Sequence, residues 1–202
     1  MDRSRLEAFS DGVFAVAITL LALNLAVAGP GPGHKSLLAQ LGSHWPSFVA
    51  YVISFFMIGI IWVNHHALVQ NIATVDRTLL FLNLLLLAFV VAIPFGTATM
   101  ADYLTAGGQD SRVAMALYAA VFEGMSIGFS AMFEWTLHGE ARTHHAVPER
   151  ARWGARIRFY LGQIPYLIAI GLAFVNPLVS LAIIGLVAAY YIFERTPSAR
   201  EN

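Results

Sequence analysis

The chain contains no cysteine. Disulfides, thiolate metal sites and thiol nucleophiles are therefore excluded together. Charge is nearly as scarce: Asp, Glu, Lys and Arg make up 12% of the 202 residues, against about 25% in soluble domains. The 12 basic and 12 acidic residues cancel, so no long-range attraction to nucleic acid is expected. No Ser/His/Asp constellation has the spacing of a hydrolase, and no glycine-rich phosphate loop follows a strand. Neither an enzyme nor a cofactor is expected.

What the chain does have is apolar length. It is 58% hydrophobic, with a mean hydropathy of +0.67. The apolar runs are continuous, unlike the short alternating segments of a membrane β-barrel. The expected class is an all-α membrane protein, a single six-transmembrane-helix bundle in a lipid bilayer. Its spans are expected at about 4–28, 45–67, 78–100, 112–138, 157–175 and 177–194.

Local signals set these bounds. Ser4-x-x-Glu7 has capping-box spacing and predicts Ser4 as the first N-cap. Gly29-Pro30-Gly31-Pro32-Gly33 breaks the first span. Two arginines, an apolar core and Ala26-Val27-Ala28 are the ingredients of a signal peptide, but Glu7 and Asp11 in the would-be n-region oppose cleavage. Residues 36–43 read as a short amphipathic interfacial piece. Trp45-Pro46 opens span two with an interfacial aromatic and a proline suited to a first helical turn. Pro94 predicts a kink in span three. A basic connector is expected over 139–158, with His144-His145 solvated in it, and a tight turn at Asn176-Pro177.

Basic residues orient the bundle. With the N-terminus inside, ten Lys or Arg fall on the inner segments and two, Lys35 and Arg112, on the outer ones. Both termini are then cytoplasmic. The arginine-rich connector is read as a topology signal facing anionic lipid, rather than a nucleic-acid patch.

The first span has two faces. At about 100° per residue, Arg5, Phe9, Gly12, Val16, Leu20 and Leu23 share one narrow stripe, with Thr19 on its flank. Asp11 falls on the far side and is predicted to point at spans two and three. There Ser10, Asp11, Trp62, His65 or His66, and Asn83 lie at one depth near the inner end. A carboxylate at that depth needs partners. Three roles compete for the cluster: structural fastening, a proton-sensing or relay function through Asp11 and a histidine, and a metal site. Neighbouring histidines diverge by about 100° on a helix and do not converge on one ion as an i, i+4 pair does, so no metal is expected. Glu123 falls mid-span and is either a functional, proton-sensitive acid or a neutral hydrogen-bonded glutamate. Glu134, near Arg156 and Arg158, is expected to form an ion pair.

A stripe left bare while the opposite face is fastened suits a helix facing a symmetry axis. Copies around it would enclose an apolar constriction at Val16, Leu20 and Leu23, with Thr19 the only hydroxyl. Such constrictions gate by dewetting, and oxygen rings can replace part of an ion's hydration shell. No TVGYG-type carbonyl filter occurs in the chain.

Arg5-x-x-x-Phe9-Ser10-Asp11-Gly12-Val13-Phe14-Ala15 resembles the first-helix signature of the transmembrane protein 175 family, the lysosomal/endosomal potassium channels and their prokaryotic relatives. Tyr51-x-x-Ser54-Phe55, Trp62-x-x-His65-His66, Asn83 and Pro94-Phe95 agree with it. The resemblance implies a prokaryotic single-repeat member: a homotetrameric, potassium-permeable channel in the cell membrane, with its pore lined by the first helix of each subunit. Potassium would be the permeant ion. It implies a gate at Val16 completed by Leu20 and Leu23, and a filter hydroxyl at Thr19. Arg5, Ser10, Asp11, Trp62, His66 and Asn83 would be the network holding the pore helix. Two departures stand out: Val16 is smaller than the isoleucine or leucine often found there, and Asn24 replaces an acid common near the helix's outer end. A proton channel or proton-coupled transporter using Asp11, a histidine and Glu123 is the alternative.

Overall fold

The computed structural model describes residues 2–27, 29, 33, 35–138 and 149–193. The described residues form helices α1 (Arg3–Leu21), α2 (Leu37–Ser43), α3 (Trp45–Gln70), α4 (Arg77–Tyr103), α5 (Gly108–Leu137), α6 (Glu149–Ala173) and α7 (Pro177–Phe193), with a 3₁₀ turn, Ala22–Leu25, extending α1. Four are long and apolar enough to cross a membrane: Arg3–Leu25, Trp45–Gln70, Arg77–Tyr103 and Gly108–Leu137. Two shorter apolar helices follow, Tyr160–Ala173 and Pro177–Ile192. The chain is a multi-pass membrane protein.

Several helix boundaries differ from those expected. The first helix starts at Arg3 with Asp2 as N-cap, and no capping box forms. Ser4 Oγ instead donates back to Asp2 Oδ2 at 3.0 Å. Helix α5 starts at Gly108, four residues before Arg112, where Gly107 and Gly108 both take positive φ and let the backbone turn sharply. Helix α6 begins at Glu149, inside the stretch expected to be a connector. His144 and His145 lie outside the described residues. Side-chain caps set other helix starts. Ser36 Oγ accepts from Ala39 N to cap α2, and Asp76 Oδ1 accepts from Leu79 N at 2.8 Å to cap α4. Asn176 Oδ1 accepts from Leu178 N and Val179 N, opening α7 after the turn. Helix α4 runs unbroken through Pro94.

The bundle is built around α5. Its buried residues cover most of its circumference, and it packs against α4, α6 and α7. The α4–α5 contact is close because Gly124 and Gly128 lie one turn apart. A Cβ on Gly128 would come within 2.9 Å of Leu86 Cα, and one on Gly124 within 2.1 Å of the Phe89 ring. Small residues at this spacing are how membrane helices approach closely, since lipid supplies no hydrophobic drive between them. Helix α3 buries Ala50, Ser54, Met57, Ile58, Ile61, His65 and Val69, a three-to-four-residue repeat that defines one inward face.

Helix α1 sits at the margin, packed on α3 and α4. Leu6, Ser10, Phe14, Ala17 and Leu21 face inward. The opposite side is bare.

Candidate functional site: the two faces of the first helix

On its inner side α1 is held by a buried hydrogen-bond chain. His65 Nε2 donates to Asn83 Oδ1 at 2.8 Å, Asn83 Nδ2 donates to Ser10 Oγ at 3.1 Å, and Ser10 Oγ donates to the Leu6 carbonyl at 2.9 Å. The carbonyl of Asn83 accepts only, so the His65 proton is assigned to Nε2. Ser10 and His65 are 0% exposed and Asn83 is 1%. The chain therefore links α1, α3 and α4 without water. The ring of Phe14 packs on His65, with centroids 5.4 Å apart.

A second, half-exposed group lies on the flank. Trp62 Nε1 donates to Asp11 Oδ1 at 2.8 Å. His66 Nδ1 approaches Glu7 Oε1 at 2.9 Å, while His66 Nε2 meets the Gln70 amide at 2.7 Å. Arg3 adds a bond from Nη1 to the Gln70 carbonyl at 3.0 Å.

The structure thus brings Ser10, Asp11, Trp62, His65, His66 and Asn83 to one depth, but in two groups rather than one. Asp11 pairs with an indole, not with a histidine. The adjacent histidines diverge, as their helical angle requires: His65 turns to α4 and His66 to α1. Arg5 and Phe9 stand apart from both groups, because each lies on the exposed stripe. Glu7 belongs to the site and was not singled out from the sequence, although its i, i+4 spacing to Asp11 was legible.

The outer face of α1 carries the stripe. Val16 is 56% exposed, Leu20 39% and Leu23 71%. Thr19 is exposed beside them, and its hydroxyl donates to the Val16 carbonyl at 2.8 Å. The proton is thereby committed to the helix, and the oxygen lone pairs remain on the open side. Asn24 Nδ2 makes a long contact, 3.5 Å, to the Pro94 carbonyl, tying the 3₁₀ turn at the C-terminal end of α1 to α4.

Deeper in the bundle, Ser54 Oγ lies 2.8 Å from both Thr97 Oγ1 and Tyr118 Oη, and Thr97 Oγ1 donates to the Ile93 carbonyl at 2.7 Å. With the Thr97 proton so placed, the chain runs Tyr118 to Ser54 to Thr97. It joins α3, α4 and α5, and the sequence held no spacing that would have grouped these three residues. Glu123 is 6% exposed, and its Oε2 has no hydrogen-bond partner. Along the same α5–α6 seam, Gln163 Nε2 donates to Ser130 Oγ at 2.9 Å, and Arg156 pairs with both oxygens of Glu134. The Glu134–Arg156 ion pair is thus formed.

Residues 5–94 match the family described as endosomal/lysosomal potassium channel TMEM175. A protein of Streptomyces collinus named as a potassium channel is 47% identical over 201 residues, covering 97% of this chain and 94% of its own length. The solved structure of a lysosomal potassium-selective channel TMEM175 homolog from Chamaesiphon minutus superposes with a TM-score of 0.82 at 34% identity, covering 94% of this chain and 96% of that one. The mouse protein named endosomal/lysosomal proton channel TMEM175 is 40% identical over 101 residues, 46% of this chain and 20% of its own. These relatives are ion channels, not enzymes. This chain is a prokaryotic member of the TMEM175 family of membrane ion channels.

Proposed function

We propose that this protein is a potassium-permeable channel formed by four copies, each contributing α1 to a central pore. The observation that carries this reading is the division of α1. One side is fastened by Ser10, Asn83, His65 and the Asp11–Trp62 pair, while the other presents Val16, Leu20, Leu23 and the Thr19 oxygen with nothing covering them. A single copy encloses no path along such a stripe. Four copies around an axis cover each other's stripes and leave a narrow lumen. Val16, Leu20 and Leu23 then form a constriction that gates by dewetting, and Thr19 supplies a ring of oxygens in place of a carbonyl filter. Potassium is the permeant ion, and no cofactor takes part. The two shorter apolar helices complete a six-span subunit in the cell membrane. Both termini lie in the cytoplasm, where ten of the twelve basic residues fall.

Glu123 favours a second reading, proton conduction or proton coupling through Asp11, a histidine and Glu123. A carboxyl at mid-membrane without a partner on one oxygen is costly to retain for packing alone. Flux from proteoliposomes separates the two. Potassium efflux that persists without a proton gradient, and survives Glu123→Gln, supports the channel. Strict dependence on the gradient, or loss on Glu123→Gln, supports the proton reading.

A further inference from the structure

Glu7 and Asp11 lie one turn apart on α1 and share a face, and His66 reaches them from α3. One ligand atom from each lies within 4.8 Å of the others, and His66 Nδ1 already stands 2.9 Å from Glu7 Oε1. We propose that these three side chains form a binding site for a first-row divalent transition metal, which clasps the cytoplasmic end of α1 to α3.

The donor set fits that class of ion. One imidazole nitrogen and two carboxylates suit zinc, nickel or cobalt, whereas magnesium and calcium sites are built from oxygen alone. Supporting residues orient two of the three ligands. The Asp11 carboxylate receives the Trp62 indole N–H on Oδ1 and keeps Oδ2 for another partner. The far ring nitrogen of His66 meets Gln70 Nε2 at 2.7 Å, and a flip of that amide exchanges its nitrogen for its oxygen in the same place. With the amide oxygen turned toward it, that oxygen accepts Nε2–H and leaves the Nδ1 lone pair aimed between the carboxylates. A histidine ligand held through its second nitrogen in this way is the usual outer-shell arrangement at metal sites.

A separate observation comes from the Nδ1 atom of His66, which is shielded from solvent and has no hydrogen-bond partner although Glu7 Oε1 stands 2.9 Å away. An unpaired imidazole nitrogen and two carboxylates thus share one small region at the membrane edge. A divalent cation there neutralises the carboxylates and replaces the single His66–Glu7 contact with three bonds across two helices. His65 and His66 diverge too far on α3 to share one ion, but this site uses His66 alone with two acids from α1.

The test is titration of the purified, tag-free full chain with nickel(II), followed by heat and by tryptophan fluorescence, with Trp62 as a reporter against Asp11. Saturable binding of one ion per chain is expected, with quenching and a higher unfolding temperature. Glu7→Gln and His66→Gln should each weaken binding by about tenfold or more. Binding unchanged in both variants, as would follow from nickel held elsewhere, overturns the proposal, and so does the absence of saturable binding. Because the readout is binding rather than ion flux, failure here would leave the pore reading untouched.

Discussion

The indole of Trp62 on α3 donates to the Asp11 carboxylate on α1 across 2.8 Å. The bond satisfies one carboxylate oxygen on the half-exposed flank of α1, and it helps to set the rotation of α1 about its own axis. The exposed stripe faces away because this flank is held.

Replacing Trp62 with Phe keeps an aromatic ring but removes the donor. The expected cost is about 1 kcal/mol, the scale of one hydrogen bond to a partly solvated charge. It should appear as earlier unfolding in denaturing detergent. In a double-mutant cycle with Asp11→Ala, a coupling near zero would remove this bond from the fastening of α1. Asp11→Ala should reduce folding or assembly more than ion preference. A well-assembled protein with altered selectivity would contradict that.

Asn83 is the hinge of the buried chain, accepting from His65 and donating to Ser10. Asn83→Ala strands the His65 N–H in an apolar interior and leaves a cavity beside α1. A loss of about 2–3 kcal/mol is expected, at the upper end for one unsatisfied buried group. Equal stability of wild type and variant would show that the chain contributes nothing net.

At Gly128 an added methyl group meets the backbone of Leu86, which cannot move without separating α4 from α5. Gly128→Ala should therefore cost about 1–3 kcal/mol, the range for overpacking a tight contact. Gly124→Ala presses instead on the half-buried Phe89 ring, which can swing aside. The expected order in thermal unfolding is wild type above Gly124→Ala above Gly128→Ala, and a reversed order would mean that the Phe89 ring is the more rigid neighbour.

The proposed pore supplies its own contrast. Val16→Asn should wet the constriction and raise conductance severalfold; an unchanged current would sink the gate. Thr19→Val removes the oxygen but preserves shape, and should lower the preference for potassium over sodium. An unaltered permeability ratio would take Thr19 out of the filter. The oligomeric state in lipid bears on both, because a monomer encloses no path along the stripe.

The amino-acid order alone determined the membrane class, the apolar stripe on α1 and the shared depth of Ser10, Asp11, Trp62, His65, His66 and Asn83. Hydropathy and the helical period are local properties, and both can be read along one strand of text. Helical angle also separates His65 from His66, but it does not name the neighbour each one meets. Only the packed bundle decided that His65 goes to Asn83, His66 to Glu7, and Asp11 to an indole. The Ser54–Thr97–Tyr118 hydroxyl chain and the seating of Gly128 against Leu86 were hidden for the same reason. Each depends on how far one helix slides and turns against another, and many weak contacts together set that offset.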